Sequence, residues 1–306
     1  MEIYLFMFNR PTARLQLTIG FGNNLFQYCF ARLLAEKNNL LLVHREIPEF
    51  NIPHSIHQTD PSFPVTHIGE HNYKDALKAD LSGFNLTISG YFEDYEIFAP
   101  YLDTIRSWFP PVKKMNSRDL ILHLRLQNRL VQVSHHKNHV LADAYLKGMD
   151  GFDFDRLHII TDAKKWSPYT REDIEEIQQE IKIGPNPPSN SPWVSTDQSL
   201  FYINTLIEGF EHLNPIVHCN NAPVIPGSGG LRSGHMDDFN FIRKFDKIMI
   251  FNSTFSWWAA LLSEASQVGT WGPWKPNKGA RSKNLGKTNY PGWFTWGSKE
   301  DLYWDE

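Results

Sequence analysis

The chain has 306 residues, 41% of them hydrophobic, and a formal net charge of −4. That length supports two domains with real cores, and the composition excludes a disordered chain and a general polyanion binder. No basic stripe or RNA motif supports nucleic-acid binding, and no stretch approaches the roughly 20 apolar residues of a membrane span.

In chain order, Leu15 to Ile19 is predicted as a short strand and Gly20 to Asn24 as a turn. A helix follows with Leu25, Phe26, Cys29, Phe30, Leu33 and Leu34 on one face. Leu40 to Val43 is the next strand, and residues 44–72, rich in Pro, His and Asn, read as surface loops. Ala76 to Leu81 is short and helical, Thr87 to Tyr91 a strand, and Glu96 to Phe109 a helix. Pro110 and Pro111 break the chain, so one domain is expected over 1–116 and a second over 117–306. The second begins with a strand from Leu120 to Leu126, a helix from Ala142 to Met149 and a strand from Leu157 to Thr161. Helices over Glu172 to Ile183 and Ser199 to Phe210 follow, with a Pro/Asn/Ser loop between them and a Gly/Pro-rich loop over 220–235. The alternation of strand and helix on both sides predicts an α/β fold with two Rossmann-like halves.

Two segments carry chemistry. In KIMIFNSTFSWWAALLSEA (Lys247 to Ala265), a buried strand runs through the polar turn Asn252, Ser253, Thr254 into a helix. Free backbone N–H groups at such a helix start suit a phosphate or pyrophosphate. The competing reading is that Ser253 or Thr254 simply caps the helix. In the strand Leu120 to Gln127, alternation puts the leucines on one face and His123 and Arg125 on the other, about 7 Å apart. An arginine there, at the carboxyl end of a strand in an open α/β sheet, can clamp a phosphate through two parallel hydrogen bonds. An edge strand whose polar face meets water is the alternative.

The two cysteines, Cys29 and Cys219, cannot build a disulfide framework. MEIYLFMF at the N-terminus is too short for a signal peptide. A cytoplasmic protein is therefore expected, with the glycosylation sequon at Asn85 unused. Ten Trp suit core packing and also stacking against sugar rings.

The wording of several segments resembles the alpha-1,2-fucosyltransferase family. NSTFSWWAALLSEA resembles that family's NSSFSWWGAWLN, and GFGNNLFQYCFARLLA (Gly20 to Ala35) resembles its GLGNQMFQYAFARALA. SGYFEDYEIFAPYLDTIRSWF, HLRLQNR, IITDAKKW and GHMDDFNFIRKFDKIMIFNST follow the family's remaining segments in the same order. The resemblance implies a GT-B-type glycosyltransferase, two Rossmann-like domains facing a central cleft, with an acceptor-side N-terminal domain and a donor-binding C-terminal domain. It implies inverting, metal-independent transfer of L-fucose from GDP-fucose to an oligosaccharide hydroxyl, with no cofactor. The donor set it implies is Gly22, Asn23, Arg125, Asp162, Asp238, Asn252, Ser253, Thr254 and Phe255, with Arg125 and His123 catalytic. Asp162 and Asp238 are expected to meet the guanine or ribose.

The family's HxRRGDY becomes His123-Leu124-Arg125-Leu126-Gln127-Asn128-Arg129, without the second arginine or the aspartate. Arg129 is either a replacement cation or a solvated loop residue, the second being the expectation. Glu93 and Asp94 are the candidate bases for the acceptor hydroxyl. Asp153-Phe154-Asp155 has the form of a metal-binding DxD but precedes its strand, and His135, His136 and His139 are expected in a solvated loop rather than around zinc. The alternatives are a transferase with another nucleotide sugar and an inactive sugar- or nucleotide-binding homologue.

Overall fold

The computed structural model describes residues 10–18, 20–47, 50, 52–115, 118–132, 139–183, 193–220, 222, 234–272, 290–298 and 301. The chain divides into two compact units, Met1–Pro110 with Lys275–Tyr290, and Pro111–Trp274 with Pro291–Glu306. This division differs from a boundary at 116 over residues 111–116 and 275–290.

The first unit is built on a four-stranded parallel sheet of β1 (Thr12–Leu15), β2 (Leu41–Val43), β3 (Val65–Ile68) and β4 (Asn85–Ile88), in the order β2-β1-β4-β3. Helix α1 (Phe21–Lys37) follows β1 and buries Leu25, Phe26, Cys29, Phe30 and Leu34. β1 starts earlier than predicted and ends at Leu15, while Ile19 lies outside the described residues. β3 lies in the stretch expected to be loop. It is an edge strand, and the sequence VTHI buries only Ile68, so no apolar run announces it. After the short helix α2 (Tyr73–Ala76), the expected helix over 96–109 is broken into α3 (Tyr95–Phe98), a 3₁₀ turn (Ala99–Tyr101) and α4 (Leu102–Ser107). Pro100 sits in that turn and has no N–H to continue the ladder. The Asn85 side chain is buried and fully engaged: its Oδ1 accepts from Thr12 N, and its Nδ2 donates to the carbonyls of Asp60 and Phe63.

The second unit holds a six-stranded parallel sheet: β5 (Leu120–Leu124), β6 (Leu157–Thr161), β7 (Ile216–Cys219), β8 (Lys247–Ile250), β9 (Gln267–Trp271) and β10 (Phe294–Trp296). Its helices are α5 (Gln127–Val131), α6 (Ala142–Met149), α7 (Arg171–Ile183), α8 (Thr196–Glu211), α9 (His235–Arg243) and α10 (Thr254–Ser263). The strand order β10-β9-β8-β5-β6-β7 is the doubly wound Rossmann order. The chain lays down β5, β6 and β7 in one direction and then returns to add β8, β9 and β10 on the other side of β5. The switch point therefore lies between β5 and β8.

Leu120, Leu122, Leu124 and Leu126 join one core with Tyr145, Met249, Phe251, Trp271 and Trp296. β5 is central rather than an edge, and all five of its residues are buried. A parallel strand covered on both faces has no water-facing side, so simple polar/apolar alternation does not describe it. Among the described residues no helix is long and apolar enough to cross a membrane.

Candidate functional site

Parallel pairing brings the carboxyl ends of β5, β6 and β8 to one edge of the second sheet, because His123 lies opposite both Ile160 and Ile250. The turn after β5 carries Arg125, the turn after β6 carries Asp162, and the turn after β8 carries Asn252, Ser253 and Thr254. In open α/β sheets the crevice at the switch point is where ligands bind.

Arg129 is the largest correction. It is not a solvated loop residue. It sits on α5, and its Nη2 donates to the backbone carbonyl of Asn252, so the side chain reaches from the β5 side of the switch point to the β8 side. Its Nη1 is enclosed without a partner among the described residues, and its Cζ lies 5.7 Å from the Phe251 ring centroid. Burial, with the neighbouring Arg125 charge, lowers its pKa to about 10. It remains a cation at neutral pH, held beside a second cation. Such a placement is costly unless an anion joins it.

His123 is buried, with its Nδ1 unpartnered and its ring 5.6 Å from that of Phe255. Burial, with Arg125 and Arg129, pushes its pKa down to about 3. It is a neutral imidazole at neutral pH, able to donate or accept a hydrogen bond but adding no charge. Gln127, expected on the strand face, begins α5 instead and is buried with its Oε1 unpartnered.

Ser253 bears on the capping reading of its turn. It occupies the N-cap position of α10, yet its side chain makes no capping hydrogen bond. Its hydroxyl is buried and has no partner among the described residues. Its carbonyl accepts from Trp257 N (3.0 Å) and the Ser256 hydroxyl (3.2 Å). A free serine hydroxyl at a helix N-terminus, with two arginines on the same sheet edge, is a set of donors for an anion.

Asp162 and Asp238, which the resemblance puts near the guanine or ribose, each carry hydrogen bonds within the fold. Asp162 Oδ1 accepts from the N–H groups of Leu126 (2.6 Å) and Gln127 (3.2 Å), so this carboxylate holds the turn that carries Arg125. Asp238, on α9, accepts from Asn220 Nδ2 (2.7 Å), and burial raises its pKa. Asn220 N donates to Thr161 O, which ties that pair to the end of β6. Phe255 is core: it is 7% exposed and packs on Phe239 at 5.3 Å as well as on His123. Gly22 and Asn23 lie in the first turn of α1 rather than in a loop. The bend before that helix is made by Gly20, whose φ of 102° is open to glycine.

Beyond β4 in the first unit, Glu93 is 3% exposed with Oε1 unpartnered. Burial, with the Glu70 charge adding to it, raises its pKa to about 7. Glu70 itself accepts from the N–H groups of Tyr91 and Phe92, holding the turn. Phe92 has a φ of 53°, a conformation costing an aromatic residue on the order of 1–3 kcal/mol. Its ring stacks on Phe30 at 4.1 Å, which fixes the turn that presents Glu93. Asp94, the other candidate base, is committed elsewhere: it caps α3, accepts from the Tyr73 hydroxyl (2.8 Å) and pairs with Lys74 (2.6 Å).

Asp153 and Asp155 are exposed and both meet Arg118, at 2.7 and 3.6 Å. His139 is buried, stacked on Tyr202 at 3.9 Å and hydrogen-bonded to Arg129 O, so it belongs to the core rather than to a solvated loop. His135 and His136 lie outside the described residues. Among the described residues no cluster of His, Cys, Asp and Glu is suited to a metal ion. The sequence does not disclose the enclosure of the Arg129 guanidinium or the roles of Gln127, Asn220 and Glu70. Only the cationic character of Arg129 was visible beforehand. No protein-family model matches the chain, and no curated protein matches it.

Proposed function

We propose that the chain is a glycosyltransferase that binds a nucleoside diphosphate sugar at the switch point of the second sheet. The observation that carries this reading is the set of buried, unpartnered donors there. Arg129 Nη1 and Ser253 Oγ lie on either side of the β5–β8 switch, with Arg125 and the N-terminus of α10 beside them. The negative charge that gathers on a departing diphosphate is what such fixed donors stabilise, and this is usually the largest catalytic contribution.

The resemblance supplies the finer reading: a GT-B-type, inverting, metal-independent enzyme using GDP-fucose. The acceptor hydroxyl oxygen forms a bond to C1 of fucose as the C1–oxygen bond to GDP breaks, and GDP leaves with that electron pair. The acceptor proton passes to a base, for which Glu93 is the candidate, since a pKa near 7 suits proton abstraction at neutral pH. Arg129 takes the place of the missing second arginine. A transferase using another nucleotide sugar is the second reading. It is favoured by Asp162, whose Oδ1 is spent on backbone N–H groups rather than offered to a guanine.

Incubation with a panel of GDP-, UDP- and CMP-sugars, with release of free nucleotide as the readout, tests the proposal. Release from GDP-fucose alone, raised by an oligosaccharide acceptor, is the expected result. No release from any member of the panel would leave the inactive binding homologue in its place.

A further inference from the structure

A second cavity lies at the carboxyl edge of the first sheet. It has a volume of about 510 Å³ and is lined by Arg14, Leu15, Gln16, Leu17, Val43, His44, Arg45 and His54. Arg14 and Leu15 end β1, Val43 ends β2, and the following residues of both strands close the walls. Among the described residues, none that line it is acidic. In a chain whose formal net charge is −4, two arginines and two histidines there, with no carboxylate among the described lining residues, are a local reversal of sign.

The arginines are not used up by the fold. Arg14 is exposed, and its Nη2 donates to the Thr59 hydroxyl at 3.2 Å. Among the described residues neither Arg14 nor Arg45 has a carboxylate partner. His44 is buried at the base of the pocket, where the neighbouring His54 and Arg32 add to the effect of burial in lowering its pKa. A pocket of about 350 Å³ elsewhere in this unit shows the contrast. There Arg32 is paired with Glu36 at 2.7 Å and lies 4.3 Å over the Trp108 ring, so its charge is already met.

The floor of the larger pocket is apolar, from Leu15, Leu17 and Val43. A few polar groups over an apolar floor is the usual build of a small-molecule site. Arginine side chains match a carboxylate or sulfate through paired hydrogen bonds, and the C–H face of a pyranose suits the leucine and valine surface. We propose that this pocket binds an acidic saccharide, and that the acceptor is an oligosaccharide bearing a carboxylate or sulfate. The acceptor role rests on the transferase reading; the binding site does not.

The test is calorimetric titration of the full chain, without nucleotide, with three trisaccharides of one backbone: neutral, uronate-terminated and sulfated. Both acidic forms are expected to bind at least about tenfold more tightly than the neutral one, the size of one or two charge-assisted contacts. Arg14→Ala with Arg45→Ala should abolish that preference and leave GDP binding unchanged. If the double variant fails to fold, salt decides on the wild type. The preference should fall severalfold between about 50 and about 500 mM salt. Equal binding of neutral and acidic forms overturns the proposal, as does a preference that survives the double variant or ignores salt. Free sulfate or glucuronate binding as tightly as the trisaccharides also overturns it, reducing the pocket to an ion site. Nucleotide release is measured separately: retained acidic binding without turnover removes the acceptor role and keeps the site.

Discussion

The carboxyl ends of β5 and β8 in the second sheet and the segment that follows β4 in the first carry opposite chemistry. The second sheet gathers Arg125, Arg129 and the N-terminus of α10, with His123 held neutral among them. Beyond β4 of the first sheet stand Glu93 and Asp94, with Glu70 reaching their turn from the end of β3 and Glu93 buried, its proton held up to about pH 7. Both edges end parallel strands, yet the one suits a departing anion and the other suits a proton acceptor. The backbone arrangement supplies the edge, and a handful of side chains decide what the edge can do.

The comparison breaks most visibly at Glu93. Glu93→Gln should lower transfer by about 10²–10⁴, the range for losing a general base. In the wild type kcat/KM should rise with pH through about 7, as the carboxyl loses its proton. Stability should run the other way. The folded state holds the proton up to about pH 7 while the unfolded chain releases it near the ordinary carboxylate value. Stability is therefore lost as pH rises between those points, by roughly 3 kcal/mol. Denaturant melts at several pH values should show this loss in the wild type and not in Glu93→Gln. Unchanged activity in the variant would remove Glu93 from the mechanism whatever the melts show.

On the cationic edge, Arg125→Ala should cost about 10²–10³ in rate, as for one fixed donor to the leaving group. Circular dichroism should find the variant folded. Activity within about threefold of the wild type would be too small a loss for that role.

The smallest expected effect is that of chelation. With cations already fixed at the second edge, transfer should continue in EDTA. Complete loss, restored by manganese or magnesium, would put a metal in the role given to Arg125 and Arg129.

The parts legible in the sequence were those governed by local pattern. The apolar runs of β5 and β6 and the helix Ala142–Met149 declare themselves, and the last two have the predicted bounds. The strands that escaped are short and mixed in composition: VTHI and IVHC at sheet edges, FTW at another, and QVGTW with a glycine inside it. Their pairing is set by neighbours distant in the chain, which no local window contains.

Within the site, the position of Ser253 at a helix start was readable, but not that its hydroxyl goes unused by the cap. The enclosure of the Arg129 Nη1 is hidden for a similar reason. The strand stops at Leu124, and a helix beginning at Gln127 turns Arg129 toward the Asn252 carbonyl. The run LQNR gives no sign of that reversal. The resemblance of IITDAKKW marks Asp162 as a donor residue, and no local pattern discloses that its Oδ1 also holds the N–H groups of Leu126 and Gln127.

The proposed transferase binds a nucleoside diphosphate on the cationic edge of the second sheet. Thermal melts with GDP and UDP at equal concentration, on the wild type and on Arg129→Ala, test it most directly. A ligand at a hundred times its Kd adds about 2.7 kcal/mol to stability, enough for a clear rise in Tm. GDP should raise the wild-type Tm more than UDP, and Arg129→Ala should lose most of that rise. No shift with either nucleotide, or an undiminished shift in Arg129→Ala, would contradict the account.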